Sequence, residues 1–440
     1  MPAAPTDPVP LVHLTALERH PGGPHLRLRT AVYRGSTLFG PALAEAAPGA
    51  TPIRRLDAEV LPDHDGQPQR RVVWLLESDG GGDGWRTVDR LPVEAQGWAQ
   101  AALAPDPPRR PPWQRRGGWA ALMTWLDTAL TTHDLERRGV PQVMKDWGIS
   151  FLARVDTPRG AVYLKAVPAF FHAEVTVTSA LQHQPTGAAA PLLAADPARC
   201  LMLMRDAGDP LENGASGRAA TLPQDTGWTM DDSRALLRHL AHVQRAAEHT
   251  PLLQTLPDHG PEWVLGHLPR LLDGTHFLTG RPDGLTATEG RHLQALAPRL
   301  EAALRRLAAS PLPRTLVHGD LHGGNVVRAG PHFTLLDWSD ASLSHPFLDG
   351  GPQYLVPHHQ RAEAADAYLE AWADLLPQAD LRALLYDGVL AGELARVLGY
   401  TEHIQPNVAA DDHDWDTSHL FHFRALLQLG EEDLQPKHHP

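Results

Sequence analysis

Cysteine is almost absent from the 440-residue chain, in which Cys200 is the only one. A single cysteine excludes an intramolecular disulfide framework and any metal site built from several cysteines. No uninterrupted apolar run approaches the roughly 18 residues that a membrane-spanning helix needs. The first residues also lack the basic and apolar regions of a signal peptide. We therefore expect a cytoplasmic protein without a membrane partner.

A basic tract is also missing, and the formal net charge is -13. Nucleic acid is therefore not expected as a partner, because phosphate neutralisation needs clustered lysine and arginine. The apolar fraction of 42% and the charged fraction of 21% are those of an ordinary globular protein. A chain of this length predicts two or three domains, each with its own core.

The order of strand-like and helix-like patterns predicts four segments. Residues 1–105 form a β-rich or α+β N-terminal module of unknown role, and residues 106–118 form a proline-rich linker. Residues 119–206 form a small β-rich lobe that begins with a helix at 119–130, and residues 207–440 form a large α-helical lobe. The predicted fold class is therefore α+β, with two lobes after a separate N-terminal domain. A small β lobe joined to a large α lobe suggests a nucleotide held between them.

Apolar periodicity gives the candidate elements within these segments. The N-terminal module has three strand-like stretches, at residues 25–34, 52–60 and 70–77. In the large lobe, apolar residues recur at helical spacing over residues 236–247, 289–309, 362–376 and 381–397. Two stretches of the same lobe, residues 315–327 and 332–336, resemble a β-hairpin.

One stretch of the large lobe carries the most chemistry. A short apolar run leads to Asp320, Asn325 follows five positions later, and a second apolar strand ends in Asp337. Phosphoryl transfer needs a carboxylate that orients the attacking hydroxyl and oxygen ligands that hold Mg²⁺ against the phosphates. The kinase catalytic loop, H-R-D-L-x-x-x-N followed by a later aspartate, supplies these groups. Asp320 is thus a candidate catalytic residue, and Asn325 and Asp337 are candidate metal ligands. His318 is grouped with the catalytic residues, and we expect it to order the loop through hydrogen bonds.

The motif HGDLHGGN at residues 318–325, followed by LLDW at residues 335–338, resembles the aminoglycoside phosphotransferase and choline kinase group of enzymes. These enzymes have a protein-kinase-like fold, and the resemblance covers about residues 113–430. It implies an ATP- and Mg²⁺-dependent phosphotransferase that moves the γ-phosphate to a hydroxyl of a small molecule, with GTP not excluded as the donor. Gly319 stands where protein kinases carry arginine. The segment 344–349 resembles the part of these enzymes in which an acidic residue buttresses the catalytic loop.

The resemblance also implies residues for the nucleotide, all upstream of the motif. Lys165, within an apolar strand, would reach the α- and β-phosphates, and Glu174, nine residues later, would pair with it. Ser150 lies where the resemblance implies a reduced phosphate-binding loop. Backbone groups from Met204 to Asp206 would bind the nucleobase.

Two other functions stay open at this point. A catalytically inactive protein on the same scaffold would bind a nucleotide or another ligand, although every expected polar position is filled. A metallohydrolase is the second alternative, because His318-x-Asp320-x-His322 is a pattern that binds metal on loops. The acidic stretch 411–416 favours a cationic acceptor, and a solvated loop explains it equally well. The sequence indicates neither the acceptor nor the oligomeric state.

Overall fold

The computed structural model describes residues 9–64, 67–81, 83–182, 187–211, 229–329, 332–356 and 360–432. Contacts divide the chain into two compact units. The first is formed by Met1–Pro168, Leu193–Asp206 and Val408–Asp411, and the second by Ala169–Leu192, Ala207–Asn407 and Asp412–Pro440. Strands dominate the first unit and helices the second, which confirms the predicted α+β class. None of the described helices is both long and apolar enough to cross a membrane.

The first unit contains two sheets and three helices among its described residues. The strands of the N-terminal sheet are β1 (Leu11–Arg19), β2 (Leu26–Arg34), β3 (Ala50–His64) and β4 (Gln67–Ser78). The helices are α1 (Pro41–Ala46), α2 (Val93–Leu103) and α3 (Gly118–Thr131). The second sheet contains β5 (Gln142–Asp146), β6 (Phe151–Thr157), β7 (Gly160–Ala166), β8 (Leu192–Asp196) and β9 (Leu201–Arg205).

The N-terminal sheet has the strand order β2-β1-β4-β3, in which β1 is antiparallel to β2 and parallel to β4. Side chains alternate between its two faces, because successive residues of a strand point in opposite directions. Along β4, Val72 and Trp74 enter one buried cluster, and Val73 and Leu75 enter another. The sequence predicted β2, β3 and β4 within a few residues but missed β1, although its buried residues also alternate.

A single apolar core joins the N-terminal sheet to the second sheet within this unit. It contains Trp74 of β4, Leu126 of α3 and Phe151 of β6, all almost fully buried. The second sheet has the order β5-β6-β7-β9-β8, and its β5–β6, β6–β7 and β7–β9 pairs are antiparallel. This sheet carries the lysine that the sequence predicted for the nucleotide.

The second unit contains most of the helices. They are α4 (Ala173–Leu181), α5 (Met230–Ala247), α6 (Pro261–Leu271), α7 (Ala287–Ala295), α8 (Ala297–Ala308), α9 (Arg361–Leu369), α10 (Gln378–Leu398) and α11 (His419–Glu432). Its strands are β10 (Thr315–Val317), β11 (Val326–Ala329), β12 (His332–Leu335) and β13 (Ser342–Ser344). The strands β11 and β12 form the predicted hairpin, whereas β10 pairs with β13.

The ends of several helices follow from local chemistry. A capping box of Thr229 and Asp232 begins α5, since each side chain accepts a backbone N–H of the other residue. The prediction of one helix over residues 289–309 was wrong, because α7 ends at Ala295 and α8 begins at Ala297. Pro298 stands in the first turn of α8, and a proline ring inside a continuous helix would clash with the carbonyl four residues earlier.

Candidate active site

Short strands place the motif residues at one end of the second unit. The strand β10 ends at Val317, and a single 3-10 turn, Gly323–Asn325, leads into β11. The N–H of Leu336, which follows β12, donates to the carbonyl of Asn325 at 2.7 Å. This bond holds the start of β11 beside the segment that enters Asp337. The hairpin thus brings the two predicted metal ligands to neighbouring strand ends.

Gly319 explains one departure from the protein-kinase loop. Its φ angle is +86°, a left-handed conformation that glycine adopts without strain. A Cβ atom at this position would lie 2.5 Å from the carbonyl oxygen of Asp340. No side chain fits at such a distance, so the arginine of protein kinases could not occupy this position in the present backbone.

Asp349 holds the loop from behind. This carboxylate is 2% exposed and accepts the N–H of His318 at 3.1 Å and the N–H of Gly319 at 2.9 Å. The side-chain amide of Gln244 donates to it at 2.9 Å. Burial raises the pKa of Asp349, although these backbone donors oppose the shift. The geometry matches the acidic buttress that the resemblance implied for residues 344–349.

His318 is completely buried and orders the loop. Its Nε2 lies 2.8 Å from the carbonyl oxygen of Leu336, and its ring packs against Trp338 with 4.5 Å between ring centroids. Burial lowers the pKa of His318, which keeps the ring neutral, although Asp349 acts in the opposite direction. This ring therefore ties the catalytic loop to the end of the hairpin.

Asp320 remains half-exposed, with 49% of its side chain accessible. Partial burial opposes its ionisation, but His322 and the charge of Arg396 outweigh this effect and lower the pKa of Asp320 to about 2. A carboxylate of this kind is ionised at neutral pH. It can orient a hydroxyl and receive its proton late in the reaction, as phosphoryl transfer requires.

Asn325 is buried, and its amide has a defined orientation. The Nδ2 group donates to the backbone carbonyl of Asp320 at 2.8 Å. The side-chain carbonyl oxygen is therefore the atom that can serve as a metal ligand. Asp337 has a left-handed backbone with φ of +61°, and its Oδ1 accepts the hydroxyl of Ser339 at 2.9 Å. An amide oxygen and a carboxylate suit Mg²⁺, which commonly takes one or two protein ligands together with phosphate oxygens and waters.

Asp340 is a site residue that the sequence interpretation missed. Burial and the charges of Asp320 and Asp337 raise its pKa to about 8, and Glu174 adds to this effect. The helix α4, which carries Glu174, packs against the turn formed by residues 338–340. The signal in the sequence was the spacing D-W-S-D, since one 3-10 turn returns the fourth residue toward the first. Three carboxyl groups therefore lie close enough for the charges of two of them to oppose ionisation of the third.

The metallohydrolase alternative depended on the pattern His318-x-Asp320-x-His322. Among the described residues, no group of three or more His, Cys, Asp and Glu side chains could hold a metal ion. The histidines of the candidate pattern have other contacts: His318 Nε2 lies against a backbone carbonyl, and His322 Nδ1 accepts the N–H of Gly324 at 3.1 Å.

The residues predicted for the nucleotide divide between the two units. In the first unit, Lys165 lies in β7 and is only 5% exposed, opposite Leu152 and Met202. Met204 is in β9, and Asp206 follows that strand. Glu174 lies in the second unit, in the first turn of α4, and is 2% exposed.

Ser150 also belongs to the first unit, directly before β6. The N–H of Trp147 donates to the carbonyl of Ser150 at 2.9 Å, which closes the turn between β5 and β6. The Ser150 hydroxyl is buried and has no hydrogen-bond partner among the described residues. A buried hydroxyl without a partner is costly unless a ligand or water satisfies it.

One family model matches part of this chain. Residues 213–384 match the model of the APH family, described as the phosphotransferase enzyme family. This match confirms the resemblance predicted from the HGDLHGGN motif. A search of curated protein sequences finds no significant match.

Several solved structures are similar to this chain. A macrolide 2′-phosphotransferase from Brachybacterium faecium has 19% identity and a TM-score of 0.48, covering 73% of this chain and 100% of its own. A choline/ethanolamine kinase family protein from Mesorhizobium loti has 14% identity and a TM-score of 0.48, covering 70% and 95% respectively. Choline kinase from Cryptosporidium parvum has 11% identity and a TM-score of 0.47, covering 68% and 90%.

Proposed function

We propose that this protein, whose residues 213–384 match the phosphotransferase enzyme family, transfers the γ-phosphate of ATP to a hydroxyl of a small molecule in a Mg²⁺-dependent reaction. One observation carries the proposal. The amide of Asn325 donates to the carbonyl of Asp320, which leaves the Asn325 side-chain oxygen available at the strand end next to Asp337. The proposed base and one metal ligand would then belong to the catalytic loop, and Asp337 would supply the second ligand from the segment after β12.

The metal would be held by the side-chain oxygen of Asn325 and the carboxylate of Asp337. The chemistry of these donors fits Mg²⁺, and the concentration of carboxylates around Asp340 favours a cation at this place. When bound, Mg²⁺ neutralises charge on the β- and γ-phosphate oxygens. A bound cation would favour the ionised form of Asp340, whose charge would then add to that of its neighbours.

Asp320 would act on the acceptor. Its carboxylate orients the acceptor O–H toward the γ-phosphorus and receives the proton. A bond forms between the acceptor oxygen and phosphorus, while the bond from phosphorus to the β,γ-bridging oxygen breaks and ADP leaves with that electron pair. No covalent enzyme intermediate is needed. Asp349 and His318 keep the loop in the required conformation throughout.

The remaining site residues would bind the nucleotide. Lys165 would contact the α- and β-phosphates, with Glu174 as its partner, and the Ser150 hydroxyl would approach a phosphate oxygen. Support for Ser150 comes from its buried hydroxyl, which lacks a partner among the described residues. Backbone groups from Met204 to Asp206 would bind the nucleobase.

The acceptor need not be cationic. Within the acidic stretch 411–416, Asp411 pairs with Arg110, and a carboxylate oxygen of Asp416 lies 3.2 Å from Nδ1 of His413. Two acidic residues of this stretch therefore have partners within the protein, and their presence does not require a cationic acceptor. An acceptor screen should therefore include neutral sugars as well as amino alcohols and aminoglycosides.

Calorimetry of Mg²⁺-dependent ATP binding tests the proposal. We expect Asp337→Ala to weaken Mg²⁺-ATP binding at least about tenfold, because a charged metal ligand is lost. Asp414→Ala is the matched control, since it removes the same charge from an exposed position and should leave the affinity unchanged. Equal affinity in the parent and Asp337→Ala, or no ATP binding by the parent, would favour an inactive binding protein on the same scaffold.

A further inference from the structure

His322 contacts both ends of the catalytic loop. Its Nδ1 accepts the N–H of Gly324 at 3.1 Å, and it thereby caps the 3-10 turn that carries Asn325. Its other ring nitrogen, Nε2, lies 3.7 Å from Oδ2 of Asp320. One side chain thus connects the turn that carries the proposed metal ligand to the proposed base.

The contact with Gly324 determines the position of the ring proton. A ring nitrogen that accepts an N–H carries no proton, so the neutral ring has its proton on Nε2. That atom is the one closest to Asp320. The distance of 3.7 Å exceeds the upper limit of about 3.2 Å for an N–H···O hydrogen bond, and such contacts often tighten when substrate binds.

The two carboxylate oxygens of Asp320 have different surroundings. Oδ2 faces His322 and also lies 3.5 Å from Nδ2 of Asn325. Among the described residues, no hydrogen bond or ion pair reaches Oδ1 of Asp320. A carboxylate held through one oxygen presents the other in a defined direction.

We propose that His322 is a positioning residue that holds Oδ2 of Asp320 through its Nε2–H, so that Oδ1 faces the acceptor hydroxyl. This inference rests on the proposed phosphotransferase function, and it adds a residue to the machinery of that site. Gly324 makes the arrangement feasible, because a Cβ at this position would lie 2.8 Å from Cε1 of the His322 ring. The third glycine of the motif therefore provides space for the ring.

Two substitutions separate the two contacts of His322. In His322→Asn, the short side chain can still accept the N–H of Gly324, since asparagine is a favourable N-cap residue, but it cannot reach Asp320. In His322→Gln, the amide can extend toward Asp320 and the cap is lost. The probe is Mg²⁺-ATP hydrolysis, in which water takes the place of the acceptor.

We expect His322→Asn to lower kcat about tenfold, the effect of one lost hydrogen bond, with KM for Mg²⁺-ATP within about twofold of the parent. His322→Gln should retain more of kcat and raise KM, because the turn that carries Asn325 loses its cap. The inference is wrong if His322→Asn has the parent's kcat, or if both variants change only KM.

A second measurement reports on the contact without requiring turnover. Nitrogen-15 NMR of the full-length protein should show the His322 ring as the Nε2–H tautomer, with the signal assigned by its loss in His322→Asn. Asp320→Asn should shift this signal, whereas Asp414→Asn should not. The inference would be overturned, and the proposed function left intact, if the His322 signal is unchanged in Asp320→Asn and hydrolysis is unaffected in His322→Asn. A shifted signal in a protein that neither binds nor hydrolyses ATP would establish the contact and reject the proposed function.

Discussion

Two groups of ionisable side chains in the second unit differ in how their charge is balanced. Glu393 of α10 is fully buried and has three partners, one of them on the same helix. Tyr354 donates to one of its oxygens at 2.7 Å, His422 Nδ1 lies 2.8 Å from the other, and the Arg396 guanidinium is 3.9 Å away. In the candidate active site, His322 and Arg396 favour the ionised form of Asp320, but the charges of Asp320 and Asp337 oppose ionisation of Asp340.

The pKa values express this difference. Burial opposes ionisation of Glu393, but His422, Arg396 and Tyr354 outweigh it and lower its pKa. Burial and two like charges raise the pKa of Asp340 to about 8. The first group balances its charge within the protein, as a structural cluster does. In the second group one carboxyl group is held in its neutral form by its neighbours, and a bound cation would favour its ionisation.

The largest expected effect is on catalysis. Asp320→Asn should lower kcat for Mg²⁺-ATP hydrolysis about 1,000-fold, which corresponds to roughly 4 kcal/mol in the activation barrier. The reason is that the attacking water loses the carboxylate that orients it and receives its proton. Its midpoint of thermal unfolding should change little, because the Asp320 side chain is half-exposed. Asp414→Asn serves as the control. A loss of folded protein in Asp320→Asn would contradict the view that this carboxylate is functional rather than structural.

The next effect is on stability, at the other cluster. Glu393→Ala should lower the free energy of unfolding by about 3 kcal/mol, because it removes a buried carboxylate that pairs with Arg396 and accepts the hydroxyl of Tyr354. Urea denaturation measures this change. Glu301→Ala breaks an exposed pair with Arg305 on α8 and should cost less than about 0.5 kcal/mol. Equal effects of the two substitutions would show that burial of the Glu393 cluster contributes nothing.

A smaller effect is expected from the backbone beneath the catalytic carboxylates. Gly319→Ala should lower the free energy of unfolding by about 2 kcal/mol and also reduce hydrolysis, since the methyl group meets the carbonyl of Asp340 in a left-handed conformation. Gly97→Ala in α2 is the control, because a Cβ there meets no atom within 4 Å and alanine favours helix. We expect that variant to be as stable as the parent or more stable.

The smallest effect concerns pH. In the folded protein Asp340 keeps its proton up to about pH 8, whereas its ordinary pKa is 3.8. Between these values the folded state binds more protons than the unfolded state, so its stability falls as pH rises through this window. Asp340→Asn should make the dependence shallower, as measured by urea denaturation at several pH values without Mg²⁺. An unchanged slope would show that the pKa of Asp340 is not raised in the folded protein.

The sequence predicted those parts of the site that depend on local spacing. The five-residue interval from Asp320 to Asn325 places both residues in one short loop. The apolar strand before Asp337 indicates that Asp337 follows the end of the next hairpin strand. Gly319 was noted only as a departure from protein kinases, because its close approach to Asp340 involves residues 21 positions away. Pro298 could have divided the predicted helix at residues 289–309, since the rule about proline is local.

The Glu393 cluster could not be predicted by such arguments. Glu393 lies 39 residues from Tyr354 and 29 from His422, and no pattern in the sequence connects them. A glutamate within an apolar helix reads as a solvent-facing residue until the packing of α10 against α11 is known. The α+β class followed from periodicity, whereas the common core of the two sheets in the first unit needed three-dimensional contacts.

Phosphorus-31 NMR of ATP incubated with the full-length protein and a mixture of sugars, amino alcohols and aminoglycosides tests the central claim most directly. We predict that the γ-phosphate signal is lost in the presence of Mg²⁺, that a phosphomonoester signal appears, and that EDTA or Asp320→Asn prevents both changes. A γ-phosphate signal that persists with Mg²⁺, or its equal loss in Asp320→Asn, would contradict phosphoryl transfer centred on this carboxylate.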